Sequence, residues 1–447
     1  MLVSILVVFI MLGFLATAHE LGHFFVACLL KIKAYEVSVF VGPTLFSWKH
    51  NGVDYSIRSI PLGAYVRFSD FDENGEVVVS DDPTLLINQP RWKRFLVAIA
   101  GPLVNVVVGI IIFVILFSFT HFSTLEIGET ATGTQLYETS YVVGDTITKI
   151  NGHRVWNSLD VFFETEMGVD EREEMTITLK SKSNGDYYDI VLVPKLQTRV
   201  MLGIQYYDGT ENKYNGWELI NVMPEQNNGS PILKAGDFVV EIDGIKVTDD
   251  YIHEYLDNVI TDDATLHIKY VRNGVEYEED MVKTLMTYAN LRGVFVKNKT
   301  VDSFSSFLEA FGSAATMPLT IANVSVRSVM KVFEGREKVY NMVSGPVGVT
   351  TAVSDVVQDV DQTTKIKFIN LVNMVAMISI ALAFTNLLPI PGLDGMQIVL
   401  LIIEMILGRA ISKKSENILT IVGFIIIVAL VIFALTSDII RIFVGGM

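Results

Sequence analysis

His19, Glu20 and His23 are the residues of this sequence whose types and spacing most clearly could carry out chemistry. Apart from Cys28, they are the only ionisable side chains between Leu2 and Leu30. In a helix, positions four apart lie on one face, so the two imidazoles could bind one metal ion. Glu20 lies beside that face, where its carboxylate could take a proton from a metal-bound water. Two imidazoles favour zinc, and the arrangement favours hydrolysis.

A chance match is the competing interpretation of this motif, because an isolated histidine on an apolar helix face is more often a satisfied core residue than a ligand. The surrounding segment is apolar enough to cross a membrane. A charged group in such a segment costs about 2.5–3.5 kcal/mol on insertion scales, so ionisable residues there are usually functional. The cost and the spacing together favour a metal site.

A second candidate group lies in the stretch Asn386–Gly395, with the sequence NLLPIPGLDG. Two prolines and two glycines cannot sustain a helix, and irregular backbone at membrane depth is tolerated only inside protein or along a cavity. Asp394 could supply a third ligand and leave the fourth zinc position open to water. The alternative is that Asp394 caps the next predicted helix, Met396–Leu407.

Four apolar segments predict membrane-spanning helices: Leu2–Leu30, Phe95–Phe119, Phe368–Leu388 and Ile418–Leu435. The hydrophobic fraction of 50% and the mean hydropathy of +0.42 agree with a membrane protein. Basic residues flank the ends that four crossings bring to one side, which predicts that this side is cytoplasmic: Lys31, Lys33, Arg91, Lys93, Arg94, Arg409, Lys413 and Lys414. Both termini would then lie outside the cytoplasm.

The region between residues 120 and 366 carries the whole net charge of −16, and the rest of the chain is balanced. We expect an aqueous domain there, on the outer side, and its acidity argues against nucleic acid as a partner. Residues 143–155 and 235–247 repeat one pattern, Gly-Asp, a strand, an Asn-Gly or Asp-Gly turn and another strand. Residues 303–340 predict a membrane-surface helix rather than a fifth span, since they contain Glu309 and Arg327.

Two further segments lie close to the predicted spans. Residues 35–48 and 53–68 have strand-like composition around a turn at 49–52, and this element could line the metal site. Ile57, in the second strand, is predicted to be an edge position that pairs with an extended substrate. Asn105 follows Gly101-Pro102 in the second span and is either an interhelical hydrogen-bonding residue or a site residue.

Taken in order, these landmarks closely resemble the site-2 protease family of intramembrane zinc metalloproteases, in the bacterial branch typified by the regulator of sigma-E protease. The matching stretches are HELGH, YSIRSIPLGAYV, GPLVN, the two repeats, SGPVG and NLLPIPGLDG, and Met396 is one departure, since many members have a second glycine there. The repeats resemble bacterial PDZ domains. The resemblance implies that His19, His23 and Asp394 bind Zn²⁺ and that Glu20 is the general acid/base.

The same resemblance implies that Asn386 and Asn105 contact the substrate backbone or the oxyanion, and that residues 50–68 form a membrane-associated β-element. We place Ile57, Pro389 and Pro391 in the same substrate-binding set. The predicted activity is cleavage of transmembrane segments of single-span proteins already shortened by another protease, such as anti-sigma-factor-like proteins or signal-peptide remnants. The alternative is a non-catalytic membrane receptor that docks extracytoplasmic peptides.

The predicted fold class is a polytopic α-helical membrane protein with four transmembrane helices, a membrane-associated β-element and two extracytoplasmic PDZ-like α+β domains. The expected regions are 1–124 with the HExxH helix, 125–200 and 201–287 as the PDZ-like domains, 288–366 as a membrane-proximal helical linker, and 367–447 with the LDG motif. The expected location is the cell membrane, with the active site toward the cytoplasmic side. The expected partners are membrane-protein substrates, lipid and PDZ peptide ligands.

Overall fold

The computed structural model describes residues 2–69, 80–167, 170, 172–207, 213–223, 226–249, 251–258, 265–333, 345–359 and 363–444. The chain divides into two compact units. Unit 1 comprises Met1–Leu125, Val155–Val161 and Lys297–Met447, and unit 2 comprises Glu126–Arg154 and Phe162–Val296.

The described helices are, in chain order, α1 (Leu2–Leu29), α2 (Arg91–Phe119), α3 (Ser158–Phe162), α4 (Gln226–Gly229), α5 (Tyr251–Asn258), α6 (Phe304–Phe333), α7 (Pro346–Gln358), α8 (Thr364–Asn386), α9 (Asp394–Leu407) and α10 (Lys413–Val444). Within them, four segments are long and apolar enough to cross a membrane: Val3–Leu29, Arg91–Phe119, Thr364–Asn386 and Ile418–Ile440. They match the four predicted spans. Helix α6 is not one of them, in agreement with the exclusion of a fifth span, and the predicted helical residues 334–340 lie outside the described ranges.

Helix α2 packs closely on its neighbours in unit 1 because small residues lie at the crossings. A Cβ atom on Gly22 of α1 would approach the carbonyl oxygen of Ala100 to 2.7 Å. One on Gly109 of α2 would lie 2.5 Å from Cγ1 of Ile380 in α8. Close backbone approach is therefore a requirement of this bundle, and it places α1, α2 and α8 against one another.

Asp438 anchors the last helix. It is 2% exposed, and its carboxylate accepts hydrogen bonds from the backbone N–H groups of Gly345, Val347 and Gly348 at distances of 3.0–3.1 Å. These donors lie at the start of α7, where the helix dipole also favours a negative charge. A buried carboxylate near the end of the fourth apolar segment is thus stabilised by backbone groups.

The strands β1 (Glu36–His50) and β2 (Val53–Arg67) form more than a simple hairpin. Residues 36–39 pair with both 54–57 and 64–67, while 44–50 pair with 53–58, so the segments lie in the order 44–50, 53–58, 36–39, 64–67. The turn at Asn51 and Gly52 has positive φ at both residues, as a two-residue hairpin loop requires. The predicted strands and turn are therefore present.

Ile57 does not lie at a free edge of this sheet. It pairs with Val39 on one side and with Phe46 on the other, so the edge-pairing prediction for this residue is wrong. The reason is that the long strand β2 bends and contributes two separate segments, which the sequence did not reveal. The two edges are the segments 44–50 and 64–67.

Glu36 connects the segments of this sheet. Its Oε1 atom accepts hydrogen bonds from the Tyr65 hydroxyl at 2.7 Å and from Nη2 of Arg58 at 2.9 Å. Burial raises the pKa of the Glu36 carboxyl, but these two donors outweigh burial and hold the pKa below its usual range. The ionised carboxylate therefore fixes the segment 64–67 to the rest of the sheet.

The remaining strands are β3 (Phe122–Ile127), β4 (Thr146–Ile150), β5 (His153–Arg154), β6 (Met175–Lys180), β7 (Tyr187–Leu192), β8 (Leu196–Met201), β9 (Ile204–Tyr207), β10 (Trp217–Val222), β11 (Phe238–Ile242), β12 (Ile245–Lys246), β13 (Thr265–Arg272), β14 (Val275–Val282), β15 (Thr284–Ala289) and β16 (Val296–Lys299). One sheet has the order β16-β3-β4-β6-β7, and another has the order β9-β10-β11-β13-β14. The short strands β5 and β12 pair with β4 and β11. The two sheets therefore correspond strand by strand, as the sequence repeat predicts.

The second repeat is inserted into the first. Strand β16, which has the sheet position of β9, follows the whole second repeat in sequence. Strands β8 and β15 pair with each other as a two-stranded stem, and the backbone N–H of Asn290 donates to the carbonyl of Lys195 at 3.1 Å where the stem begins. Residues 196–289 thus enter and leave at one point.

Candidate metal centre

Three possible ligand atoms converge in unit 1. Oδ2 of Asp394 lies 3.0 Å from Nε2 of His19 and 3.4 Å from Nε2 of His23, and the two Nε2 atoms are 3.2 Å apart. With zinc–ligand bonds of about 2.0–2.1 Å, the edge of a tetrahedron is about 3.3 Å. The triangle therefore has the dimensions of one face of a tetrahedral zinc site, and the fourth position is left for water.

Each of the three candidate ligands has a local cause for its position. His19 and His23 are one helical turn apart on α1, and both are 8% exposed. Asp394 is the first residue of α9, and Leu393, rather than Asp394, holds the N-cap position. A Cβ atom on Gly395 would collide with the carbonyl oxygens of Leu387 and Leu388. Glycine there lets α9 begin close to the end of α8, which directs Asp394 toward the histidines.

The orientation of His23 is fixed by α2. Its Nδ1 atom lies 2.7 Å from the carbonyl oxygen of Val97, and a carbonyl can only accept a hydrogen bond. A neutral His23 therefore carries its ring proton on Nδ1, which leaves the lone pair of Nε2 available on the side of Asp394 and His19. Such a carbonyl partner is the usual support for a metal-binding histidine.

Glu20 is held by the β-element. Its Oε2 atom accepts a hydrogen bond from the backbone N–H of Val66, in the edge segment 64–67, at 3.1 Å. The carboxylate of Glu20, which lies between the two histidines in sequence, is thus oriented by a backbone group of the β-sheet and not by its own helix. A carboxylate held in a fixed orientation beside a metal site can accept a proton from a metal-bound water.

The predicted substrate-binding residues have different surroundings. Nδ2 of Asn105 lies 3.4 Å from Nδ1 of His19, and Nδ2 of Asn386 lies 3.4 Å and 3.5 Å from the two ring nitrogens of the same histidine. Both amides therefore reach the ligand set. Pro391 is buried where a Cβ atom on Gly423 of α10 would collide with it, whereas Pro389 is exposed. Ile57 lies within the β-sheet, as described above.

Gly101 lies at the candidate metal centre, although the sequence marks it only as part of a Gly-Pro pair. A Cβ atom there would collide with Nε2 of His23 and lie 2.8 Å from Cε1 of His19. The helix α2 therefore passes directly against both imidazoles. The carbonyl of Val97 and the N–H of Val66 are two further contributors, and no side-chain type could have revealed them because both act through the backbone.

Gly101→Ala is expected to lower zinc affinity by about 10–100-fold or more, and with it the zinc that the protein retains, because the new methyl group displaces the rings of both histidines. Changes in the groups that support a metal ligand have effects of that size on their own. Zinc in the purified protein is measured by elemental analysis. Gly312→Ala is the matched control: it also adds a methyl group to a helix, but among the described residues no heavy atom other than those of its chain neighbours and the adjacent helix backbone lies within 4 Å of the added carbon. Equal zinc in both variants would contradict the close approach.

Converging zinc-type ligands beside a carboxylate, on helices long enough to cross a membrane, define a membrane-bound zinc metalloprotease. The profile of Peptidase family M50 matches residues 7–430, and the chain belongs to this family. The resemblance inferred from the motifs is confirmed, and so is the prediction of a zinc-dependent protease. The alternative prediction, that the chain is a non-catalytic membrane receptor, is rejected.

Named relatives match along nearly their whole length. The regulator of sigma-W protease of Bacillus subtilis is 25% identical over 99% of this chain and 100% of its own. The regulator of sigma E protease of Haemophilus influenzae is 22% identical over 97% of both chains. A Clostridium acetobutylicum protein, provisionally named a zinc metalloprotease, is 25% identical over 98% of this chain and 97% of its own. The chain is accordingly a multi-pass membrane protein.

Proposed function

We propose that this protease cleaves transmembrane segments of single-span membrane proteins at the site formed by His19, Glu20, His23 and Asp394. The observation that carries the proposal is the ligand triangle, two of whose members lie on a helix with a mean hydropathy of 2.0 and membrane length. A hydrolytic site at that depth meets peptide bonds that are themselves in the membrane.

The chain's own residues have separate tasks in this proposal. His19, His23 and Asp394 hold the zinc, which when bound supplies Lewis acidity to activate water and polarise the scissile carbonyl. Glu20 takes the proton of the attacking water and passes it to the leaving nitrogen. The N–H of Val66 orients that carboxylate. Asn386 offers its side-chain N–H groups beside the ligand set, where they could bind the carbonyl oxygen as it becomes negative.

A transmembrane helix hides its carbonyls in internal hydrogen bonds, so the substrate must be extended before it is cut, and each unpaired backbone group in lipid costs several kcal/mol. The edge segment 64–67 could supply new partners by strand pairing. The carbonyl of Arg67 in this segment faces into the sheet and accepts a hydrogen bond from the backbone N–H of Tyr35. The backbone N–H of Val66 faces outward, away from the sheet, and donates to Glu20. Because strand residues alternate in direction, the backbone groups of Ala64 also point outward, toward the same side as Glu20.

Ala64→Pro is expected to slow cleavage about 10-fold with zinc unchanged, since it removes one outward edge donor, worth roughly 1–1.5 kcal/mol. The rate is measured on a single-span substrate by gel electrophoresis. Ser47→Pro, in the opposite edge segment, tests whether any proline in the sheet has this effect. Wild-type cleavage by a folded, zinc-bound Ala64→Pro would contradict pairing at this edge.

We propose that the two repeats are PDZ-like domains that filter substrates by size on the outer side of the membrane. Strands β9 and β16 each follow a glycine with positive φ, Gly203 at 63° and Gly293 at 72°, and each lies at the end of its sheet order. A short strand at a sheet end, after a glycine loop, is where PDZ domains add an extended peptide.

Lys195 and Asn290, the residues on either side of 196–289, are hydrogen-bonded to each other. Replacing residues 196–289 with an Asn-Gly turn is therefore expected to leave the zinc content and the first repeat intact. A filter predicts that this variant cleaves long, uncut substrates that the wild type rejects, and still cleaves shortened ones. Recruitment instead predicts slower cleavage of every substrate. Cleavage is compared on a matched long and short pair of one substrate.

The function is tested by reconstituting the protein in lipid with a single-span reporter and mapping the cut by mass spectrometry. A cut within the apolar segment of the reporter, lost with a zinc chelator and restored by zinc, is the expected result. Cuts confined to the aqueous flanks would contradict the proposal. The names of the two sigma-regulating relatives suggest anti-sigma-factor-like proteins as first substrates. The basic residues that flank the predicted spans support an active site toward the cytoplasm.

A further inference from the structure

We propose that Asn105 is a positioning residue: in the zinc-bound protein its side-chain oxygen Oδ1 accepts the hydrogen bond from Nδ1–H of His19. The proposal rests on the ligand set proposed above. It assigns to Asn105 a task directed at a ligand histidine, and not at the substrate.

The requirement comes from the chemistry of imidazole. His19 faces the other ligand atoms through Nε2, 3.0 Å from Asp394 and 3.2 Å from His23. A neutral imidazole that binds metal through Nε2 carries its proton on Nδ1, and that proton needs an acceptor. The carbonyl of Val97 fulfils this task for His23. For His19 the described residues offer only two amides within reach.

The distances distinguish between these two amides. Nδ2 of Asn386 is almost equally far from both ring nitrogens of His19, at 3.4 Å and 3.5 Å. A group in line with the Nδ1–H bond would be much farther from Nε2, so Asn386 lies beside the ring. Asn105 is within hydrogen-bond distance of Nδ1 alone, at 3.4 Å. Asn105 therefore holds the position from which the Nδ1 proton can be accepted.

The buried amide of Asn105 also has an unused acceptor. The residue is 1% exposed, and its Oδ1 atom has no hydrogen-bond partner among the described residues. In the orientation with Nδ2 toward His19, zinc binding through Nε2 would bring two donors face to face. A half-turn of the amide exchanges nitrogen and oxygen in place and converts this repulsion into a hydrogen bond.

The backbone of Asn105 is fixed independently of its side chain. Its carbonyl oxygen accepts a hydrogen bond from the hydroxyl of Ser379 in α8 at 2.8 Å. This contact joins the backbone of α2 to α8 and does not involve the side-chain amide. It also provides a control, because Ser379→Ala removes the interhelical hydrogen bond and leaves the side-chain acceptor in place.

The test measures zinc affinity by chelator competition in detergent, with thermal unfolding as the check of folding. Asn105→Leu, similar in size but without an acceptor, is expected to lower affinity about 10–100-fold. Asn105→Asp, which has acceptors only, is expected to bind zinc at least as well as the wild type. Ser379→Ala is expected to match the wild type in affinity.

Two outcomes would overturn the proposal. The first is wild-type affinity in folded Asn105→Leu. The second is an Asn105→Asp that folds but loses affinity as Asn105→Ala does, since that pattern requires a donor at this position. If Asn105→Leu does not fold, the zinc affinities of Asn105→Asp and Asn105→Ala are compared instead, and this comparison decides. His19→Ala separates the two proposals: zinc retained in that variant refutes the ligand set itself, whereas zinc lost there with no effect at Asn105 refutes only the positioning role.

Discussion

Glu20→Gln is expected to bind zinc like the wild type and to cleave a single-span substrate at least about 100- to 10,000-fold more slowly. Glutamine can still accept the hydrogen bond from Val66, so the local geometry is retained. Its amide, however, cannot take a proton from water at neutral pH, and the proton transfer is lost.

Single-turnover cleavage in detergent, with zinc measured on the same sample, checks this expectation. Glu309→Gln in α6 is a control for the loss of a carboxylate, since Glu309 pairs with Lys299 at 2.9 Å and lies on an exposed part of the chain. Turnover of Glu20→Gln within a few-fold of the control would refute the proposed role of Glu20.

Asp394→Ala is expected to lose both zinc and activity, because it removes one of three protein ligands and leaves two imidazoles, which is too few for a stable catalytic zinc site. The same loss is expected for His19→Ala and His23→Ala. Zinc content after gel filtration in detergent is the measurement, and cleavage should be undetectable where zinc is absent.

Asp438→Asn is the matched control for this prediction. It also replaces an aspartate of unit 1, one that is 2% exposed, and the asparagine oxygen can take the place of one of the two carboxylate oxygens that accept hydrogen bonds at the start of α7. Zinc should be retained in this variant. Stoichiometric zinc in Asp394→Ala would reject the assignment of Asp394 as a ligand.

Local sequence rules were sufficient for the elements and for the ligand candidates. The spacing of His19 and His23 depends only on the helical repeat, and the spans depend only on runs of apolar residues. The turn at Asn51-Gly52 and the repeated Gly-Asp pattern are likewise signals within a few residues. Each of these features is determined by interactions between near neighbours in sequence, and the structure contains them.

Tertiary structure alone decided which groups meet these residues. The N–H of Val66 reaches Glu20, the carbonyl of Val97 reaches His23, and Gly101 lies against both histidines. Backbone groups are the same in every residue, so no residue type announces such contacts. Ile57 was misplaced for the same reason, because strand order within a bent sheet depends on pairing between distant segments. The insertion of the second repeat into the first also follows from long-range pairing, which composition and periodicity do not encode.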